Sequence, residues 1–142
     1  MADNYESLKL KNQLCFPLYS AANKIIRSYK PLLDKLDLTY TQYITMMVLW
    51  EKENINEKEL GESLYLKSNT LAPLLKKLQN KGYIEVNKDK VDARNIIISL
   101  TNKGRELKEK ALEVPNAMHG CIKLSQEDAE TLYRLLYKYI EN

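Results

Sequence analysis

Between Asn56 and Gly104 the apolar spacing of this chain changes from helical, near 3.6 residues, to alternating, and that change restricts the fold more than any other feature. Asn56 followed by Glu59 is a capping-box pattern, and Ile55 and Leu60 stand where a hydrophobic staple belongs, so the spacing predicts a short helix ending near Leu64. After Tyr65-Leu66-Lys67, Ser68 is expected to cap a second helix. Its Leu71, Leu74, Leu75 and Leu78 share one face, and Gly82 stops it. Tyr83-Ile84-Glu85-Val86 and Ile96-Ile97-Ile98-Ser99-Leu100 are β-branched runs, the second placing Ile96, Ile98 and Leu100 on one side. Asn87 to Asn95 forms a polar tip between them. The expectation is a mainly α chain with a small β-ribbon, arranged as a winged helix-turn-helix.

The outer face of the second helix carries Ser68, Asn69, Thr70 and Pro73 at its N-terminal end and Lys76 and Lys77 farther along. Short hydrogen-bonding groups followed by cations suit a helix that enters a major groove N-terminus first. The ribbon tip adds Lys88, Lys90, Asp92 and Arg94. From Leu66 to Asn95 there are seven Lys/Arg against three Asp/Glu, whereas the whole chain is only +3, so basic charge is concentrated in the presumed reader. Double-stranded DNA, as a palindromic operator, is the partner this implies. Lys76 and Lys77 alone would pass for a solvated face. Arg94, too exposed at a ribbon tip to help folding, points to a phosphate or a minor groove.

At 142 residues with 44% hydrophobic content the chain fits a single domain, 1–142. The first ten residues are polar and expected to fray, with Leu8 and Leu10 as anchors. Leu18, Ala22, Ile25, Tyr29, Leu32 and Leu36 then step by four or three, a stripe longer than one small domain hides. Pro17 should lie near the start of this helix, and Pro31 should kink or break it. Cys15 therefore falls in or just before the first turn, where free N–H groups and the helix dipole favour a thiolate. Thr39-Tyr40-Thr41-Gln42 is a second capping box, opening a core helix with Ile44, Met47, Val48 and Trp50. Thr101 caps a helix with Leu107, Ala111 and Val114 inward, which Pro115 should end, leaving Asn116 to Lys123 as a loop. Ser125 opens the last helix, apolar at Leu132, Leu135, Leu136, Tyr139 and Ile140. Two apolar chain ends imply a homodimer. Segments 1–38 and 102–142 are the expected dimerisation helices and 39–101 the winged DNA-binding region.

No apolar run approaches the roughly 20 residues of a membrane span and no signal segment opens the chain, so a cytoplasmic protein without membrane contact is expected. The two cysteines, Cys15 and Cys121, form neither a metal cluster nor a disulfide framework. Four glycines and one histidine leave no phosphate loop, catalytic triad or metal site, and no cofactor is implied. His119 reads as a surface or interface residue.

Asp92-Ala93-Arg94, then Leu100-Thr101 and Gly104, resembles the wing signature of the MarR family. Leu14-Cys15-Phe16-Pro17-Leu18-Tyr19, Tyr29-Lys30-Pro31-Leu32-Leu33, Leu38 to Tyr43, and Thr70-Leu71 with Pro73 to Leu78 are similar to its OhrR subgroup, the organic-hydroperoxide-sensing repressors. The resemblance covers essentially the whole chain. It implies a helical homodimer that represses genes until an organic hydroperoxide oxidises Cys15, then releases DNA. It also implies that Tyr29 and Tyr40 of the opposite subunit hydrogen-bond the sulfur, with Tyr19 close by, and that Cys121 can resolve the oxidised thiol as an intersubunit disulfide. At Lys67-Ser68-Asn69 the subgroup often shows an acidic residue, Ser and Gly, so the operator preference is expected to differ.

On the residues alone, a cysteine among Leu14, Phe16 and Leu18 reads as a small buried hydrophobe, and the resemblance reverses that reading. Cys121 stays open between resolver and incidental thiol. Two other functions fit part of the pattern: a MarR-type repressor switched by a small phenolic or lipid ligand, and a thiol peroxidase. The basic reader, which a peroxidase does not need, favours a regulator over an enzyme.

Overall fold

The structure, a computed structural model, describes residues 4–142. Two single 3₁₀ turns, Glu6–Leu8 and Leu10–Asn12, occupy the segment expected to fray, and both leucines are exposed, so neither anchors it within the chain. Seven α-helices and three strands follow among the described residues: α1 (Cys15–Asp34), α2 (Tyr40–Lys52), β1 (Asn54–Asn56), α3 (Glu57–Leu64), α4 (Ser68–Asn80), β2 (Ile84–Lys88), β3 (Ile96–Leu100), α5 (Asn102–Ala111), α6 (Glu113–Met118) and α7 (Gln126–Ile140). No helix among them is long and apolar enough to cross a membrane.

Local sequence sets most of these boundaries. Thr39 and Gln42 form both halves of a capping box at α2, the hydroxyl accepting from the Gln42 N–H and the amide oxygen from the Thr39 N–H. Asn56, Thr101 and Ser125 each accept from the N–H three residues on, opening α3, α5 and α7. Gly82 follows α4 in the left-handed region at φ 83°, where a side chain would be strained.

Four expectations are corrected. The Ser68 hydroxyl does not cap α4: Lys67 is the cap residue, without a side-chain hydrogen bond, and Ser68 lies in the first turn. Pro31 does not interrupt α1, which runs on to Asp34 before Leu38 turns back to the Leu33 carbonyl. Nor does Pro115 end a helix. Its missing N–H costs little early in a helix, and it sits third in α6, so the loop shrinks to 119–125. In α2 the buried face is Gln42, Tyr43, Thr45, Met46, Leu49 and Trp50, while Ile44 and Val48 are half-buried and Met47 is 45% exposed.

The strands form one antiparallel sheet ordered β1-β3-β2, with Val86 opposite Ile98 and Ile55 opposite Ile98 on the other side. The core lies between this sheet and α2, α3, α4 and α5, centred on Met46, Leu49, Leu60, Leu78 and Ile98. Trp50 Nε1 donates to the Gly104 carbonyl at 2.9 Å inside it. Helices α1 and α7 contribute little to this core: α7 has no buried residue and α1 only Leu33.

A Cβ built on Gly104 would stand 2.2 Å from the Tyr83 carbonyl oxygen and 3.1 Å from Leu100 Cδ2. Gly104→Ala must therefore part α5 from the start of β2, and is expected to cost about 1–3 kcal/mol in urea denaturation at fixed protein concentration. A parental midpoint would mean that the two backbones are not locked together.

Candidate nucleic-acid interface and thiol site

Helix α4 presents opposite chemistries on its two sides. Leu71, Leu74, Leu75 and Leu78 are buried, while Ser68, Asn69, Thr70, Pro73, Lys76 and Lys77 all face solvent. Because Lys67 provides no side-chain cap, the first-turn N–H groups of Ser68 and Asn69 remain directed outward beside their own side chains. Pro73 has no N–H to give to the Asn69 carbonyl, so the exposed side offers an acceptor as well as donors.

The ribbon tip is ordered by Asp92. Its carboxylate takes the Arg94 guanidinium in a two-pronged grip, Nε at 3.1 Å and Nη2 at 3.1 Å, and accepts the Arg94 backbone N–H at 3.0 Å. Arg94 holds the Asp92 carboxyl below its ordinary range through these bonds. The Arg94 side chain is 91% exposed, and so open a pair adds little to stability. Its effect is to fix where the guanidinium points. Lys88 and Lys90 are exposed on the same ribbon.

Arg94 and α4 face each other across a groove of about 660 Å³, also lined by Lys58, Lys67, Ser68 and Asn95. Lys58 was not singled out from the sequence, and Lys67 only as a departure from the OhrR subgroup's pattern. Lys58 did leave a signal: it is a cation in the first turn of α3, where the helix dipole disfavours positive charge.

The thiols and tyrosines occupy the other half of the chain. Cys15 is the first residue of α1 and is exposed, so it is not a core hydrophobe. Leu14 before it makes no side-chain cap, which leaves the first-turn N–H groups free. Tyr29 and Tyr40 pack with ring centroids 5.0 Å apart, and Tyr43 joins them at 5.8 Å and 6.5 Å. Tyr19 is exposed and outside this cluster. Burial, then Tyr40 and Cys121, raise the Tyr29 phenol above its ordinary value, keeping it a donor. Cys121 lies in the loop after α6, and its thiol points at the Ala117 carbonyl 3.6 Å away. His119 follows α6 and is exposed.

Cys15 and Tyr29 lie on one uninterrupted helix, fourteen residues apart, which places them about 21 Å apart along its axis. The tyrosine pair therefore cannot serve the thiol of its own chain.

Residues 27–111 match the family described as Transcriptional regulator SarA/Rot. Over 141 residues, 99% of this chain and 96% of the relative, the sequence is 44% identical to the Organic hydroperoxide resistance transcriptional regulator of Bacillus subtilis (strain 168). The structure is similar to reduced AbfR bound to DNA, with a TM-score of 0.78, 30% identity and coverage of 98% of this chain and 97% of that one. It is also similar to disulfide-formed AbfR, with a TM-score of 0.67, 32% identity and 95% of both chains covered. AbfR is a protein of Staphylococcus epidermidis.

Burial raises Tyr43 and Tyr83 as it does Tyr29, with Tyr29 and Tyr40 acting on the first and Asp37 on the second. The unfolded chain then loses these protons first, near the ordinary 10.0, while the folded chain retains them. Stability should be level below that pH and fall as pH rises through the raised values. Tyr43→Phe should flatten the fall in urea titrations between about pH 9 and 11. A slope as steep as the parent's would show that Tyr43 does not take part.

Proposed function

The chain matches the SarA/Rot family of transcriptional regulators and belongs to the OhrR-like subgroup of the winged-helix MarR family, and from that membership we propose a cytoplasmic, homodimeric DNA-binding repressor that organic hydroperoxides switch off by oxidising Cys15. The observation that carries this reading is the separation along α1. An exposed thiol at one end of a helix and a tyrosine pair four turns away meet only when two chains run past each other. Exposed Phe16, Leu18, Leu132, Leu135 and Ile140 provide apolar faces on α1 and α7 for such a dimer, with 1–38 and 102–142 as its scaffold and 39–101 as the reader.

In the dimer, Tyr29 and Tyr40 donate to the partner's Cys15 thiolate, with Tyr19 nearby. The sulfur attacks the terminal peroxide oxygen: an S–O bond forms, the O–O bond breaks, and the alkoxide leaves and takes up a proton as alcohol. Cys15 becomes a sulfenic acid. The influence of Cys121 on the Tyr29 phenol supports a position for Cys121 near the partner's Cys15 in this dimer. Its thiolate attacks the sulfenic sulfur, an S–S bond forms, and hydroxide leaves. Bridged cysteines need Cα atoms within about 7 Å, so the loop 119–125 must adjust, and this shifts the scaffold that spaces the two readers. Half-sites one helical turn apart, about 34–36 Å, tolerate little such error. One equivalent of oxidant suffices for release, as in binding and not turnover.

A repressor switched by a small phenolic or lipid ligand has one feature in its favour, a cavity of about 350 Å³ between α2 and α5 lined by Tyr43, Met47, Trp50 and Leu112. The Cys15→Ser variant separates the two readings. It is expected to bind upstream DNA like the parent in a gel shift and to stay bound in cumene hydroperoxide, while Tyr29→Phe and Tyr40→Phe oxidise more slowly. Release of Cys15→Ser by the peroxide would overturn the redox mechanism. Cys121→Ala should form no covalent dimer on non-reducing gels and should release DNA fully only with added small thiol; complete, reversible release without it makes Cys121 a bystander.

Ser68, Asn69, Thr70, Pro73, Lys76 and Lys77 are assigned to the major groove, and Lys88, Lys90 and Arg94, oriented by Asp92, to the flanking backbone or minor groove. Arg94→Ala should weaken operator binding about tenfold or more and lower the salt dependence by about one ion, leaving dimerisation and melting unchanged. Parental affinity at moderate salt would remove Arg94 from the interface.

A further inference from the structure

One lysine reaches from the end of α4 to the joint between α1 and α2, beside the packing that already joins them. Helix α1 ends at Asp34, the chain reverses through left-handed Asp37 at φ 54°, and α2 opens with Tyr40 behind the Thr39–Gln42 capping box. Lys81, the cap residue of α4, reaches across to this joint from the recognition helix. Its ammonium donates to the Asp37 backbone carbonyl and to Gln42 Oε1 at 3.0 Å, and stands 3.6 Å from the Asp37 carboxylate.

Gln42 Oε1 is therefore shared. The same oxygen accepts the Thr39 N–H at 3.1 Å, so the atom that closes the N-terminal cap of Tyr40's helix also ends the recognition helix's lysine. Gln42 is 3% exposed and the Lys81 side chain 27% exposed, so water competes poorly at the Gln42 contact, while the Asp37 carboxylate stays open to solvent at 81%. Lys81 is itself held from behind: Lys103 Nζ donates to its carbonyl at 2.8 Å and lies over the Tyr83 ring, and the Tyr83 hydroxyl points at the Leu36 carbonyl 3.5 Å away. A lysine on an exposed helix end normally extends into solvent. Here three acceptors from the α1–α2 joint converge on one ammonium, and two of them flank Tyr40.

We propose that Lys81 is the positioning residue that makes the recognition helix follow Tyr40. The inference rests on the assignment of Tyr40 to the thiol site. When oxidation displaces that tyrosine, the first turn of α2 moves with it, and the Gln42–Lys81–Asp37 cluster carries the displacement to the C-terminal end of α4. By reciprocity, operator bound to α4 steadies the first turn of α2.

The test uses full-length Lys81→Met, which retains the apolar stem without donors, and Lys81→Arg, which restores donors. Two quantities are read: the ratio of operator Kd between the cumene-hydroperoxide-treated and reduced protein, and amide hydrogen exchange at Gln42 and Tyr43 with and without operator. The parent should show a ratio of at least about tenfold and slower exchange on binding DNA. Lys81→Met should bring the ratio to within about threefold of unity at a parental rate of Cys15 oxidation and lose the exchange protection, and Lys81→Arg should recover both. A parental ratio or parental protection in Lys81→Met overturns the proposal, and a lowered melting temperature beside a parental ratio marks the lysine as structural only. If oxidation fails to release the parent, the redox reading of Cys15 falls, and the exchange measurement alone decides the role of Lys81.

Discussion

The hydrogen bond from the Trp50 indole to the Gly104 carbonyl is the contact on which the arrangement of this chain depends. It joins α2, which leads from the tyrosine cluster, to α5, which leads to the apolar C-terminal helices, and it does so in the interior, where an unpaired indole N–H would be costly. The other side of Gly104 touches the Tyr83 carbonyl, close enough that only a hydrogen fits there. Thr101 fastens the same point with three bonds: its N–H donates to the Tyr83 carbonyl, its hydroxyl to the Gly82 carbonyl, and that hydroxyl accepts the Gly104 N–H. The exit of the recognition helix, both wing strands and the start of α5 thus meet within a few residues. A reader attached through so short a span moves as one body.

Outside that body the chain is unfinished. The reader buries its apolar residues against its own sheet, whereas α1 and α7 leave Phe16, Leu18, Tyr19, Ile26, Leu132, Tyr133, Leu135 and Tyr139 exposed. An exposed set of this size on two helices, beside a well-filled core elsewhere, is the surface that the proposed dimer would cover. The division also separates stability from recognition, since Arg94 and the outward side of α4 contribute almost nothing to packing.

Where the sequence carried local chemistry, the elements could be read directly. Thr39 with Gln42, Asn56, Thr101 and Ser125 are each a side chain that satisfies a specific backbone N–H, and all four open the helices they announce. The wing pair Asp92 and Arg94 was legible for the same reason. What failed depended on tertiary context. The three residues of β1, Asn54-Ile55-Asn56, are too few for their alternation to announce a strand, and their pairing with β3 is set by the sheet. Helix α2 is apolar nearly all round, so its periodicity could not tell the buried Met46 side from the exposed Met47 side. Pro115 looked like a terminator because the brief gap between α5 and α6 is invisible in composition. The Lys81 cluster was out of reach altogether: Asp37 and Gln42 lie 44 and 39 residues from Lys81, and the capping box that Gln42 announces does not point to it.

The length of α1 ties the redox reading to the dimer reading. Along a continuous helix the rise is fixed, so about 21 Å separates Cys15 from Tyr29 whatever the side chains do. A lone chain has a thiol at an uncapped helix start out of reach of Tyr29, and a tyrosine cluster that lacks Cys15. The proposed dimer brings the halves together, and in it each thiol would be read out by the other subunit's α1–α2 joint. That joint is where Lys81 attaches the recognition helix. In the proposed dimer, oxidation of one subunit's Cys15 would therefore act first on the partner's reader, and the symmetry that completes the sensor would also deliver its signal to DNA.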